Sequence, residues 1–414
     1  MKVPDDMALL LPPVAFLAPR RGDAVKVSPV RAQRARMVDG SADELRAPLG
    51  RRRTPRPIHP SHLDYRPAQG LTEVVGNGRD GRCEVAAIGQ GATPPIAVEV
   101  RRGPLVESVH RAHIAVTDAD GRLTHHCGDP EALIYARSSL KPLLAAAMTR
   151  LGFAPRTPQH AALAASSHSG EPFHLEGVQA MLAFVGLSAE DLDNTPDWPF
   201  DEEQKLRVVA AGGRKSRLAA NCSGKHAAML ATCSANGWPI HGYRSPSHPL
   251  QLALADQIAD MTGADPGQFG VDGCGALIWA TPLSGLAAAF SALVGADADD
   301  PAAVIRDGMR EAPEYVAGTT RDATALMRSL PGAIAKDGAD AVYTAGLPDG
   351  TGIAIKIEDG GARARPAAIY GTLVALGLPA DQLQPVIADD RVLGGGEPAG
   401  QLRSVVRLVR DRPA

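Results

Sequence analysis

Two hairpin patterns, one towards each end of the patterned part of the chain, most limit what this sequence can fold into. Glu107 to Thr117 partly alternates polar and apolar residues, Asp118-Ala119-Asp120-Gly121 supplies turn chemistry, and Arg122 to Cys127 returns as a second strand. The short apolar run Ile96 to Val100 precedes this pair. Near the C-terminus, Ala341 to Ala345 and Gly352 to Glu358 flank Pro348-Asp349-Gly350-Thr351, which reads as a second hairpin. Between the two lie helical patterns at Leu143 to Leu151, Phe173 to Val185 and His226 to Asn236, each followed by a glycine that stops it. Further helices are predicted at Pro249 to Met261, Thr281 to Leu293 and Arg365 to Leu376. Strand pairs at both ends of a helical middle predict a mixed α/β (α+β) domain. Its antiparallel sheet would be closed by the first and last segments and flanked by helices, with a helical region beside it.

The first 90 residues read differently. They hold 13 Arg and 2 Lys against 10 acidic residues, include ten prolines, and show no apolar periodicity around Arg51-Arg52-Arg53-Thr54-Pro55-Arg56-Pro57. Such a segment cannot bury enough surface to offset the entropy of ordering it. The expected organisation is therefore a disordered, basic, Pro/Arg-rich extension over 1–90 and one folded domain over 91–414. A formal net charge of -3 and 4% aromatic residues argue against a nucleic-acid partner. The best apolar stretch, Ala8 to Ala18, is broken by Pro12 and Pro13 and preceded by Asp5 and Asp6, so neither a membrane span nor a secretory signal is expected. Five scattered cysteines make no disulfide framework, and a cytoplasmic location follows.

Four clusters carry residues with chemical potential. In Arg137-Ser138-Ser139-Leu140-Lys141-Pro142, Ser138 and Lys141 stand one helical turn apart. Pro142 lacks an amide hydrogen and clashes with the carbonyl four residues back, so a helix must begin at or just after Ser138. A hydroxyl there meets the positive end of the helix dipole, and a desolvated lysine beside it can serve as a general base. Alone, the pattern is more simply an N-cap with a surface lysine. The run Ser166-Ser167-His168-Ser169-Gly170-Glu171 is equally well read as capping or as a functional loop. Cys222 and Lys225 in Asn221-Cys222-Ser223-Gly224-Lys225-His226, with Cys274 in Val271-Asp272-Gly273-Cys274-Gly275, could clasp a soft divalent metal, although buried cysteines are commonly plain core residues. Lys336, between the glycines of Pro331-Gly332 and Gly338, points either into a cleft or into water.

Taken in order along the chain, RSSLKP, SSHSGE, NCSGKHAAML, DGCGA and PGAIAKDGA resemble the L-asparaginase II family of the Rhizobium etli inducible, thermolabile type, from about Pro95 to the C-terminus. The resemblance implies a fold similar to serine β-lactamases and serine-dependent glutaminases. It implies an amidohydrolase that converts L-asparagine to L-aspartate and ammonia, with two Ser–Lys pairs. Ser138 with Lys141 matches the first, Ser138 being the nucleophile. Ser167 with Lys336 matches the second, Ser169 being the alternative serine. Cys222, Lys225 and Cys274 match a zinc set in which the ion orients the pocket rather than activating water. Arg137, His226 and Asp272 fall in the same motifs and are expected to bind the charged ends of the substrate. Whether the protein is a homodimer stays open.

Three rivals remain at this point. A β-lactamase or penicillin-binding enzyme would carry Ser-Asp-Asn and Lys-Thr/Ser-Gly, which the chain lacks. A self-cleaving threonine-type asparaginase would process at Gly350-Thr351-Gly352, residues that a hairpin turn explains more simply. An inactive asparagine-binding sensor would retain the metal but not need all four Ser and Lys residues.

Overall fold

The computed structural model describes residues 93–411. The extension expected over residues 1–90 lies outside the described residues. Strands β1 (Ile96–Arg102), β2 (Leu105–Thr117) and β3 (Leu123–Cys127) run antiparallel in succession, so the first predicted hairpin is present. A short strand β4 (Leu133–Tyr135) then enters a 3₁₀ turn at Arg137–Leu140, which passes directly into helix α1 (Lys141–Arg150) with Pro142 in its first turn.

The helical middle follows as α2 (Pro158–Ala164), α3 (Pro172–Phe184), α4 (Glu202–Ala210), α5 (Ser223–Asn236) and α6 (Pro249–Thr262). Local chemistry sets these boundaries. Thr157 accepts the His160 amide and Pro158 opens α2, while Gly237 and Gly263 end α5 and α6 in the left-handed conformation. Strands β5 (Phe269–Val271) and β6 (Leu277–Pro282) pair with each other, and β6 also pairs with β4, making a small separate sheet. Next come α7 (Leu283–Val294), α8 (Ala303–Glu311), α9 (Pro313–Val316) and α10 (Asp322–Ser329). The predicted helix from Thr281 starts later, at Leu283. Thr281 is taken by strand pairing with Ile134, and Pro282 becomes the residue before the helix.

The chain closes with β7 (Ile334–Asp337), β8 (Val342–Gly346), β9 (Gly352–Ile357), α11 (Arg365–Ala375), β10 (Arg391–Gly394), β11 (Glu397–Ser404) and β12 (Val409–Arg410). The main sheet is antiparallel in the order β10-β11-β1-β2-β9-β8-β7, with β3 bridging β2 and β12. First and last segments thus meet: Val98 stands opposite Ser404, and Ala115 opposite Ala354. The antiparallel sheet with flanking helices and a helical region is the architecture expected from the sequence. Lys336, expected between two turns, instead lies on β7 opposite Thr344. Pro348–Thr351 makes the β8–β9 turn, closed by the Leu347 amide on Thr351 O at 2.8 Å.

Strands β7, β8 and β9 are buried at every position, the pattern of strands covered on both faces rather than one. Two facing glycines allow this. Gly346 and Gly352 are register partners, and a Cβ on Gly352 would lie 2.0 Å from Ala287 O of α7, one on Gly346 2.9 Å from Phe290 O. Gly352→Val is therefore expected to lower stability by more than about 3 kcal/mol, because α7 must leave its seat. Urea denaturation of the two purified proteins measures it, and a loss below about 1 kcal/mol would mean that the helix shifts freely. Among the described residues, no helix is long and apolar enough to cross a membrane.

Candidate active site

The 3₁₀ turn before α1 forms the mouth of the site. Arg137 and Ser138 are half-buried there, whereas Ser139 and Lys141 are buried. Arg137 is held at φ +51°, a left-handed conformation that strains a residue with a side chain by about 1 kcal/mol or more. Its guanidinium donates from Nε to Asp272 Oδ1 at 2.9 Å and from Nη1 to Asp340. The small sheet explains the first contact. β4 runs antiparallel to β6, so Arg137 and the Asp272–Ala276 turn between β5 and β6 emerge at the same end.

Lys141 points inward. Its Nζ donates to Ser166 O at 2.8 Å and to Ser167 Oγ at 2.9 Å, and burial holds its amine below the usual lysine range, with the Lys225 charge adding to the effect. Among the hydrogen bonds of the described residues, none joins Lys141 to the hydroxyl of Ser138. The two are linked through backbone, the Lys141 amide donating to Ser138 O. Ser167 is fixed by its own amide on Val316 O and the next one on Asn221 O. Among the described residues, the buried Ser169 hydroxyl has no hydrogen-bond partner and makes no bond to Lys141 or Lys336.

Lys336 approaches from β7. Its backbone carbonyl accepts from Ser139 Oγ at 3.2 Å, tying this strand to the 3₁₀ turn. Its Nζ donates to Asp337 O at 2.5 Å and Asp337 Oδ1 at 2.8 Å, with no bond to Ser167. Complete burial lowers this amine to about 7, against the pull of Asp337. Asp337 is shared with Arg321 and Arg365, and their charges outweigh its burial and hold its carboxyl well below the usual range. The Asp337, Arg321 and Arg365 network has no counterpart in the sequence reading, since three elements contribute to it.

Cys222, Lys225 and His226 come from the start of α5, and Cys274 from the β5–β6 turn. Gly224 lets that helix end press on α2: a Cβ there would lie 2.3 Å from Leu163 O. Lys225 Nζ donates to Cys274 Sγ at 3.3 Å. Cys222, Cys274 and His226 each offer a ligand atom, all within 4.8 Å of one another, and all three residues are buried. The neighbouring Cys222 thiol and the Lys225 charge hold Cys274 below the thiol range, while the contact with Cys274 and burial push Cys222 above it. Burial lowers His226 to about 4, leaving the imidazole neutral; Nδ1 contacts Tyr243 Oη at 2.8 Å, and the buried Nε2 has no hydrogen-bond partner among the described residues. Two thiols, a bare imidazole nitrogen and an adjacent amine are a donor set that suits a soft divalent ion. The structure thus puts His226, expected on the substrate, inside this cluster. Its i,i+4 spacing from Cys222 was the signal that could have revealed it.

A family model described as L-asparaginase II matches residues 98–404. The chain belongs to the L-asparaginase II family. By its description that family is one of asparagine amidohydrolases, and all five motifs of the site lie within the matched span. No curated protein matches it. Solved structures similar to this L-asparaginase II family member include a β-lactamase from Mycobacterium bovis, at 15% identity and TM-score 0.36, covering 64% of this chain and 95% of that one. A protein named Mglu (17%, TM-score 0.28, 69% and 70%) and a β-lactamase from Desulfarculus baarsii (17%, TM-score 0.24, 60% and 82%) are similar too. These overlaps carry nothing about the chemistry of the chain.

Proposed function

We propose that this protein hydrolyses L-asparagine to L-aspartate and ammonia through a serine activated by a buried lysine. The observation that carries the reading is Lys141: a fully buried amine, lowered in basicity, bonded to a serine hydroxyl and one turn behind a second serine at the mouth. Arg137 and Asp272 would take the α-carboxylate and α-ammonium of the substrate, since paired charged groups fix orientation. Ser138 Oγ attacks the side-chain amide carbon as Lys141 receives its proton, with Ser167 relaying it. The C–N bond breaks, the leaving nitrogen takes that proton, and ammonia departs. Water then attacks the acyl-enzyme, Lys141 accepting one proton and returning it to Ser138. Lys336 would assist as the second neutral amine.

A second reading makes Ser167 the attacking oxygen. The direct 2.9 Å bond to Lys141 favours it, while its burial opposes it. Ammonia release from L-asparagine by the purified protein tests the activity itself. No release, together with turnover of nitrocefin, would sink the reading in favour of a β-lactamase.

Cys222, Cys274 and His226 would hold zinc, with Lys225 as a fourth donor once its ammonium has given up its proton on metal binding, four being the number a closed zinc site takes. A bound ion would supply a fixed charge that shapes the pocket behind Asp272. Cys222→Ser is expected to reduce zinc from about one per chain to less than about 0.1, and to lower the melting temperature by roughly 5 °C or more. Elemental analysis and calorimetry on the same samples read both. Unchanged metal content would remove Cys222 from the site.

A further inference from the structure

Arg137 is flanked by two carboxylates of unlike exposure. Asp272 is 11% exposed and bonded to Nε, while Asp340, on the Nη1 side, is 57% exposed. The turn that carries Asp340 is unusual. Among the described residues, the non-glycine positions with positive φ are Arg137 (51°), Asp340 (52°) and Ala341 (52°). Arg137 and Asp340 are thus the two sides of one contact, and Ala341 is the next residue of the Asp340 turn. The buried Lys356 of β9 keeps the turn in place, its Nζ donating to Asp340 O at 2.5 Å. A cleft of about 790 Å³, lined by Tyr135, Arg137, Val271, Asp340, Lys356 and Glu358 among others, opens onto this contact from outside.

We infer that Asp340 is a resident carboxylate on Arg137 that the substrate's α-carboxylate must displace, so that Asp340 sets how tightly the site takes amino-acid substrates. This rests on the proposed role of Arg137. The exchange is one carboxylate for another, and no covalent bond changes. Exposure decides which acid leaves. Asp340 is largely hydrated and swings out into the cleft at little cost, whereas Asp272 is desolvated and stays to meet the α-ammonium. Lys356 holds the backbone of the turn, so the departing side chain returns to the same place after product release. Asp340 is thus a positioning residue acting through Arg137, and ligands without an α-carboxylate cannot lift it.

Asp340→Asn keeps the backbone preference, because asparagine accepts the left-handed conformation as readily as aspartate. In the full-length protein this variant is expected to lower KM for L-asparagine about tenfold, with kcat within about twofold of wild type. Calorimetry should show L-aspartate binding tightened by a similar factor. In an Arg137→Gln background the same substitution should change neither quantity, which a merely structural role would not produce. A KM that is unchanged or raised by Asp340→Asn in a folded, active protein overturns the inference and leaves the asparaginase reading standing. Should wild type release no ammonia, that reading fails separately. Asp340 is then judged on L-aspartate binding, and absent or unaltered binding overturns its role too.

Discussion

Ser138→Ala is expected to reduce kcat for ammonia release by at least about 10⁴-fold, since removing a nucleophile leaves only what binding and charge stabilisation provide. The protein should otherwise be intact, because no side-chain hydrogen bond of Ser138 is seen among the described residues and its neighbours Ser139 and Lys141 anchor the turn. Ser167→Ala should cost less, about 10²- to 10³-fold, as loss of a proton relay does. Acid-quenched reactions analysed by mass spectrometry should carry the aspartyl adduct on the peptide containing residue 138. The opposite ranking, with the adduct on residue 167, would transfer the nucleophile's role to the serine that Lys141 actually touches.

Lys141→Met is expected to lower kcat by about 10³-fold or more while preserving most of the packed volume. It also changes how the rate depends on pH. The working form of a lysine base is the neutral amine, and burial lowers Lys141 from its ordinary value while Lys336 falls to about 7. Below its folded pKa, each required neutral amine costs a factor of ten in rate per pH unit. Wild-type activity should therefore climb with pH and level off on the alkaline side, with apparent pKa values that belong to the coupled lysines jointly. The variant should lose the part of that climb due to Lys141. A wild-type rate that is flat between about pH 6 and 10 would discard a lysine base altogether.

Much of the architecture could be read from local pattern, and the reason is visible in particular residues. Turn chemistry at Asp118–Gly121 and Pro348–Thr351, glycine after α5, and Pro142 in α1 act over a few residues, so their meaning is the same in the isolated sequence and in the fold. What stayed hidden depends on distant partners. Lys336 reads as a turn residue until β8 pairs with its strand. Strand β11 has little alternation of its own and is recruited by β1 nearly 300 residues earlier in the chain. The site shows the same division. The motifs supplied each serine, lysine and cysteine, but the bond from Lys141 to Ser167 crosses 26 positions, and Arg321 and Asp337 meet only after two elements pack.

The pairing of β1 with β11 also has a bearing on synthesis. Strands β1 to β3 leave the ribosome before the helices do, yet β9, β11 and β12, which cover their edges, are translated after them. The helical stretch between them can pack during this interval, while the nascent strands wait with unpaired edges exposed to neighbouring chains. Losing the final stretch from residue 397 onwards would strip β1 of one neighbour and β3 of another, so a shortened polypeptide would emerge sticky rather than merely slow.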